Sequence, residues 1–427
     1  MSCPLYDRPP DPCPTYDWIL VGGGLTGSAL AYELACQGQQ VILVEPHVSP
    51  AGSTRYSYGG IAHWSATDAL TRYWADRSRD RYQALEAELT TDLHLRETHL
   101  LLTVAPEAGV EAALAAYGGL AVAPQGLTVA EAVEREPVLR RESLGGALLF
   151  PHGQVCPLGL LAGYQEGLGQ GGGAIAGMPC TGLRWENRGS QRYLVGVDTP
   201  HGPIAGKRVV LCAGGWGRSL LREWGFPLPL YYTQAEVVEI SAPAGSVRGL
   251  IMPADNQRFA LEAQASQPDR DYLWDQPHQE LVPASLDVGA VQFASQRVLL
   301  GQLSRTWSDL VPPIEPQAGE QAIRQGIREL MPTLADRPGT WHQCTVAFSR
   351  DGLPWVGEVA PGTGLYAFTG FTSPFLFAPP LAQAFAQALA QEATQGSAPA
   401  FTQDVTENPA SLRSFSPQRF LSPVVEG

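Results

Sequence analysis

Gly22, Gly24 and Gly27, followed by the carboxylate of Glu45, have the types and spacing needed to grip a pyrophosphate and a ribose. In such a G-x-G-x-x-G turn the first glycine lets the chain reverse tightly. The second admits phosphate oxygens close to the backbone, and the third lets helix and strand pack. Leu25 and Thr26 open the helix, whose free N–H groups and positive dipole end then face the phosphates. Glu45, with Pro46 after it, stands eighteen residues past Gly27, where a carboxylate can accept from ribose hydroxyls. NAD and FAD both use this clamp, so the choice between them must come from elsewhere in the chain.

The elements that must position the clamp are legible around it. Residues 18–21 form a short apolar run that stops at the glycines, as a buried parallel strand does. Residues 26–37 have helical spacing, Gly38 ends them, and 41–44 form a second strand, which makes a βαβ opening. Further on, helices are expected over 68–90, 107–117 and 158–168, and strands over 99–104 and 208–212. The stretch "GALLFPHGQVCP" (146–157) reads as strand then turn, and strands dominate 230–305. A helix over 316–331 stops at Pro332, a strand runs into a glycine turn near Gly370, and a long helix covers 375–394. The α/β pieces thus lie at the beginning, middle and end, with a β-rich block between them.

Composition narrows the function classes. The chain has 427 residues, 44% hydrophobic and 16% charged, which is enough to build a large core. A formal charge of −14 argues against nucleic acid, which rewards basic surfaces. No apolar run is long enough to form a transmembrane segment, and the first fifteen residues lack the basic start and apolar stretch of a secretory signal. Seven cysteines (3, 13, 36, 156, 180, 212 and 344) are scattered without a CxxC pair, so no zinc site is evident. These features point to a reducing compartment and a cytoplasmic protein.

Later motifs favour a flavin. After Glu45 comes "PAGSTRYSYGGIAHW", whose small residues would let the chain press against a flat ring. The chain resembles the D-amino-acid oxidase, glycine oxidase and sarcosine oxidase group of FAD-dependent amine oxidoreductases, from Tyr16 to about Glu392. The resemblance rests on motifs in the family's order: the glycine clamp with Glu45; the turn with Ser53, Arg55, Gly59 and Gly60; the strand end Ala213, Gly214, Gly215 and Trp216; the Asp-Gly-Leu-Pro-x-x-Gly turn at 351–357; and Gly370. It implies an α/β fold, a discontinuous Rossmann-like FAD-binding domain with an inserted mixed α+β substrate domain. The boundaries expected are an arm over 1–15, FAD-binding segments over 16–90, 146–225 and 325–395, substrate segments over 91–145 and 226–324, and a tail over 396–427.

The resemblance also implies a chemistry. Hydride passes from the amine-bearing carbon of an amino acid or secondary amine to flavin N5, and the resulting imine hydrolyses. The isoalloxazine is expected between the 55–61 turn, with Ser57 and Ile61, and the 370–375 turn, with Thr372, Pro374 and Phe375; Cys180 is assigned to the cofactor as well. Ser373 starts the last helix, whose positive end would stabilise charge on the reduced ring. Phe371, Ser373 and His63 are the candidate catalytic residues, with His152 and His342 behind His63. Oxygen, a quinone or another acceptor would take the electrons. The competing readings are a non-catalytic flavin-fold binding or assembly protein and a nicotinamide-dependent dehydrogenase.

The chain departs from the family's pattern at several points. The last turn reads Gly-Phe-Thr-Ser-Pro where Gly-His-Gly is common. Val346 and Phe377 stand where relatives place a carboxylate-binding arginine and a lysine. Arg258, Arg297 or Arg305 from the inserted domain could replace them, or the substrate lacks a free carboxylate. Tyr231, Tyr232, Phe293, Phe371 and Phe375 would make the pocket aromatic. Cys344 matches a cysteine that joins the flavin covalently in sarcosine and pipecolate oxidases; otherwise it is a small apolar core residue. Lys207, the one lysine, faces away from where relatives use a lysine to activate oxygen.

Overall fold

A computed structural model describes residues 5–6, 14–47, 49–189, 191–255, 257–395 and 411–420. Two sheets organise it. In the first, Ala174–Ala176, Val41–Val44, Tyr16–Val21, Ile204–Leu211 and Leu365–Thr369 run parallel in that spatial order. Val41–Val44 and Leu365–Thr369 are buried at every residue because both faces of the sheet are covered, one by helices and the other by a cluster that includes Leu194, Leu221, Leu228 and Leu230. Leu25–Cys36 packs against Pro157–Gln170 and against the last helix, Pro374–Gln395. A hairpin, Gly182–Arg188 and Gln191–Asp198, extends one edge, and Leu5–Tyr6 from the expected arm adds a short parallel strand at the other.

The second sheet runs in the order Gly339–Ser349, Leu230–Ser241, Arg297–Trp307, Glu280–Gln292, Leu250–Pro253, Arg96–Val104, Gly146–Gln154, Gly60–Ile61. The helix Pro316–Leu330 packs on one face through Ile323, Ile327 and Leu330. This arrangement redraws the expected boundaries. Gly146–Gln154, Gly339–Ser349 and Gly60–Ile61, expected in the FAD-binding segments, are strands of the second sheet, and the boundary at 324 falls inside the helix Pro316–Leu330. A strand's own residues say that it is buried and extended, not which distant strand it joins. The β-rich stretch also contains a helix, Gln257–Ala265, built from the good helix formers of "RFALEAQA".

The expected tail falls partly outside the described residues. Its described part, 411–420, is docked: Leu412 and Phe415 are buried in the core beside Trp74. Arg419 pairs with Asp351 at 2.7 Å and lies 3.7 Å over the Trp355 ring, so the tail clamps the Asp-Gly-Leu-Pro turn. Among the described residues, no helix is long and apolar enough to cross a membrane.

Candidate functional site

One cavity of about 1160 Å³ is walled by both sheets. That exceeds the roughly 300–1,000 Å³ of an ordinary small-molecule site, so it has room for a dinucleotide and a second small molecule. The glycine clamp forms one end. Gly22 has φ +108°, and a Cβ there would stand 2.7 Å from the Cys212 carbonyl, so only glycine fits. The Glu45 carboxylate is held at the rim by the N–H groups of Gly23 at 2.7 Å and His47 at 2.9 Å.

The backbone at this end has donors to spare. The helix Leu25–Cys36 has no side-chain cap, and Leu25 N–H is satisfied by Thr54 Oγ1 at 3.0 Å. The N–H groups of Gly24 and Thr26, both in the cavity wall, take no acceptor among the described residues. Such orphaned donors at a helix N-terminus suit a pyrophosphate. The other long helix also starts at the cavity. The Ser373 carbonyl accepts from Leu376 and Phe377, while the N–H groups of Thr372, Ser373 and Phe375 take no acceptor among the described residues. The residues present therefore fit FAD.

Most of the expected cofactor residues meet here. Gly22, Gly24, Leu25, Thr26, Glu45, Pro46, Ser53, Ser57, Gly60 and Cys180 line the cavity, as do 213–216, Cys344 and 370–375. Five expected residues do not. Gly27 packs against the Gly22 carbonyl, and Gly59, at φ +66°, against that of Val155. Arg55 lies over the Tyr56 ring with its carbonyl taken by Arg297 at 2.8 Å. Ile61 points into the core. His63 is turned away, with Nδ1 3.1 Å from the Ala75 carbonyl.

Of the three candidate histidines, His152 is the one that lines the wall. It pairs with Trp64 at 2.9 Å, and burial depresses its pKa to about 3, so it is neutral. Burial raises the thiols of Cys344 to about 12 and Cys180 to about 11. The expected aromatic pocket is only half realised. Phe371 and Phe375 line the cavity, but Tyr231 and Tyr232 pack with Trp274 and Phe348, and Phe293 packs beside Leu100.

The second sheet roofs the other end with Leu100, Leu102, Leu250 and Met252, which make it largely dry. Of the three candidate arginines only Arg258 faces the cavity; Arg297 is paired with Glu239 at 2.8 Å and Arg305 with Glu236 at 2.6 Å. Lys207 pairs with Asp17 at 2.6 Å on the surface. Tyr58, Trp64, Tyr117 and Asp287 also line this end. Tyr58 and Trp64 belong to the stretch that follows Glu45, whereas no motif marks Tyr117 and Asp287. Among the described residues no cluster of His, Cys, Asp or Glu could hold a metal ion.

Comparison with known proteins agrees with this geometry. The family model described as FAD dependent oxidoreductase matches residues 17–388. A glycine oxidase of Geobacillus kaustophilus (strain HTA426) is 27% identical over 374 residues, covering 83% of this chain and 87% of that one. The 4-methylaminobutanoate oxidase (formaldehyde-forming) of Paenarthrobacter nicotinovorans is 26% identical over 403 residues, covering 88% of this chain and 44% of that one. The crystal structure of glycine oxidase from Geobacillus kaustophilus superposes with a TM-score of 0.72 at 22% identity, covering 96% of this chain and all of that one. The fold is thus a mixed α/β one with a Rossmann-like FAD-binding part, as the sequence implied.

Proposed function

The chain belongs to the family of FAD-dependent oxidoreductases, and from that premise we propose that it oxidises an amino acid or a secondary amine at the amine-bearing carbon. Hydride leaves that carbon, and the imine left behind is hydrolysed by water. FAD, when bound, supplies the two-electron acceptor for the hydride.

The protein's own contribution is placement, charge and dryness. The N–H groups of Gly24 and Thr26, with Glu45, hold the dinucleotide. The start of the helix Pro374–Gln395 offers N–H groups and a positive dipole end where negative charge develops, with Phe371 and Ser373 in that wall. The apolar roof excludes water, which strengthens each of these interactions. Arg258 is the cationic group that can hold a substrate carboxylate, in place of the arginine absent at Val346. The names glycine oxidase and 4-methylaminobutanoate oxidase both describe proteins acting on amines that carry a carboxylate, which supports this reading.

The observation that carries the proposal is one continuous cavity joining the dinucleotide clamp to a dry, arginine-bearing roof. With Lys207 bound to Asp17 at the surface, no lysine serves the cavity for oxygen activation. Electrons therefore leave to oxygen without that help, to a quinone or to another acceptor. A cytoplasmic location is part of the same proposal, supported by free thiols at Cys36, Cys156, Cys180, Cys212 and Cys344.

Anaerobic titration of the yellow protein with glycine, sarcosine, proline analogues and D- and L-amino acids tests the reading. At least one should bleach the visible flavin bands. Bleaching by none would favour a non-catalytic binding role.

A further inference from the structure

Asp287 lies in the middle of the strand Glu280–Gln292 and lines the cavity, yet it is only 4% exposed. No hydrogen bond or ion pair among the described residues engages its carboxyl. Burying a carboxylate without a partner is costly, and native proteins rarely tolerate it without a use.

The groups around it do not supply that partner. Tyr58 and Tyr117 stand close enough to feel its charge. The Tyr58 hydroxyl donates to the Gly301 carbonyl, however, and that of Tyr117 to the Ala254 carbonyl at 2.8 Å. On the neighbouring helix, Arg258 sits 4.0 Å from Glu262, and Glu262 accepts from Thr233 at 2.8 Å. Asp255, in the turn before that helix, adds only further negative charge. The Asp287 carboxyl is therefore open to a donor from the cavity that it lines.

We propose that Asp287 recognises the substrate amine as a cation, with Arg258 as the anion-binding partner, so that the site selects a zwitterionic amino acid. This rests on the amine oxidation proposed above and narrows it. A monoanion would satisfy Arg258 and leave Asp287 unpaired; a simple amine would do the reverse; only a molecule with both charges answers both groups. Burial raises the Asp287 carboxyl to about 6, partly offset by Arg258 and reinforced by Glu262 and Asp255, so it is ionised at pH 8 and largely protonated at pH 5.5.

The test uses two ligands that lack an α C–H and so cannot be oxidised there: 2-aminoisobutyrate, a zwitterion, and pivalate, its monoanionic isostere. Calorimetric titration of the oxidised holoenzyme at pH 8 should show the zwitterion preferred by about tenfold or more, the scale of a charge-assisted hydrogen bond. The preference should vanish in Asp287→Asn, which keeps the residue's size and removes a buried charge, and so should keep the fold and the bound flavin. In the unaltered protein, affinity for 2-aminoisobutyrate should fall about fourfold from pH 8 to pH 5.5 as the carboxylate is protonated. No preference in the unaltered protein, or an equal preference in the variant, overturns the assignment. The two readings fail separately. If amines bleach the flavin but Asp287→Asn discriminates as before, only the Asp287 assignment falls; if no amine bleaches it, amine oxidation falls.

Discussion

His152 Nδ1 accepts the indole N–H of Trp64 at 2.9 Å, which leaves the proton of the neutral imidazole on Nε2. That nitrogen occupies the space a side chain at residue 60 would need: a Cβ on Gly60 would stand 2.6 Å from it. The ring is thus wedged between an indole and a glycine turn and is 8% exposed, so a charged imidazole there would lose most of its hydration. Its pKa of about 3 lies below the ordinary 6.5. The unfolded chain therefore takes up a proton near pH 6.5 that the folded chain refuses, so stability is present above 6.5 and lost as pH falls below it. The linkage amounts to about 2 kcal/mol at pH 5. His152→Gln, which can still accept from Trp64, should be less acid-labile. Melting temperatures at pH 5 and pH 7.5 check this, and equal acid sensitivity in both proteins would refute it.

The clamp glycines have separable jobs. Near Gly24 a Cβ meets only the Thr54 hydroxyl at 3.3 Å, so the space it leaves open belongs to the ligand. A Cβ on Gly27 would stand 1.9 Å from the Gly22 carbonyl, so the space it leaves open belongs to the fold. Gly24→Val should fold with a near-normal apoprotein melting temperature and lose FAD. Gly27→Ala should destabilise the apoprotein itself by about 2 kcal/mol or more, as overpacking does. Thermal melts of apoprotein with flavin content measured alongside decide it; the same pattern in both variants would contradict the division.

The difference between what the sequence revealed and what it hid follows the range of the interactions. The clamp, Glu45 and the 213–216 turn are local: each needs a strand end, a glycine and a helix start within a few residues, and the chain spells these out. His63 stands outside the cavity wall because nearness in sequence to Gly60 is not nearness in space. The register Gly60↔Gln154 and Ile61↔Gly153 instead brings a strand ninety-odd residues away, and with it His152, against the turn. Asp287 carries no motif at all. It reaches the cavity because Glu280–Gln292 is held between Arg297–Trp307 and Leu250–Pro253. Arg258 was visible only as one arginine among three, and pairing with Glu239 and Glu236 is what removes the other two.

Cys344 lies in the cavity wall, on the strand opposite Ala235, where the family's covalent linkage would form. Attack by sulfur needs the thiolate, and burial holds this thiol neutral, with a pKa of about 12. The expected outcome is non-covalent FAD. Precipitation in trichloroacetic acid should leave a colourless pellet and yellow supernatant, and Cys344→Ala should keep its flavin. A pellet that stays yellow, and turns colourless in Cys344→Ala, would show the linkage.

Arg258 offers the sharpest separation of binding from chemistry. Its guanidinium faces the cavity, is not tightly paired (Glu262 is 4.0 Å away), and lies 4.5 Å over the Phe259 ring, which holds the side chain without neutralising it. A substrate carboxylate would thus find a desolvated, pre-positioned cation, worth about 1.5–3 kcal/mol or roughly 10–100-fold in affinity. Arg258→Met keeps the length and the apolar stem and deletes only the charge. In anaerobic stopped-flow reduction of the flavin, the apparent dissociation constant of a carboxylate-bearing amine should rise by that factor. The limiting rate should hold within a few fold, because the arginine contacts the carboxylate and not the C–H bond that breaks. The decarboxylated amine should be indifferent to the change, as it never used the guanidinium. Equal weakening of both compounds would mean that Arg258 supports the cavity wall and that the carboxylate, if the substrate has one, is held elsewhere.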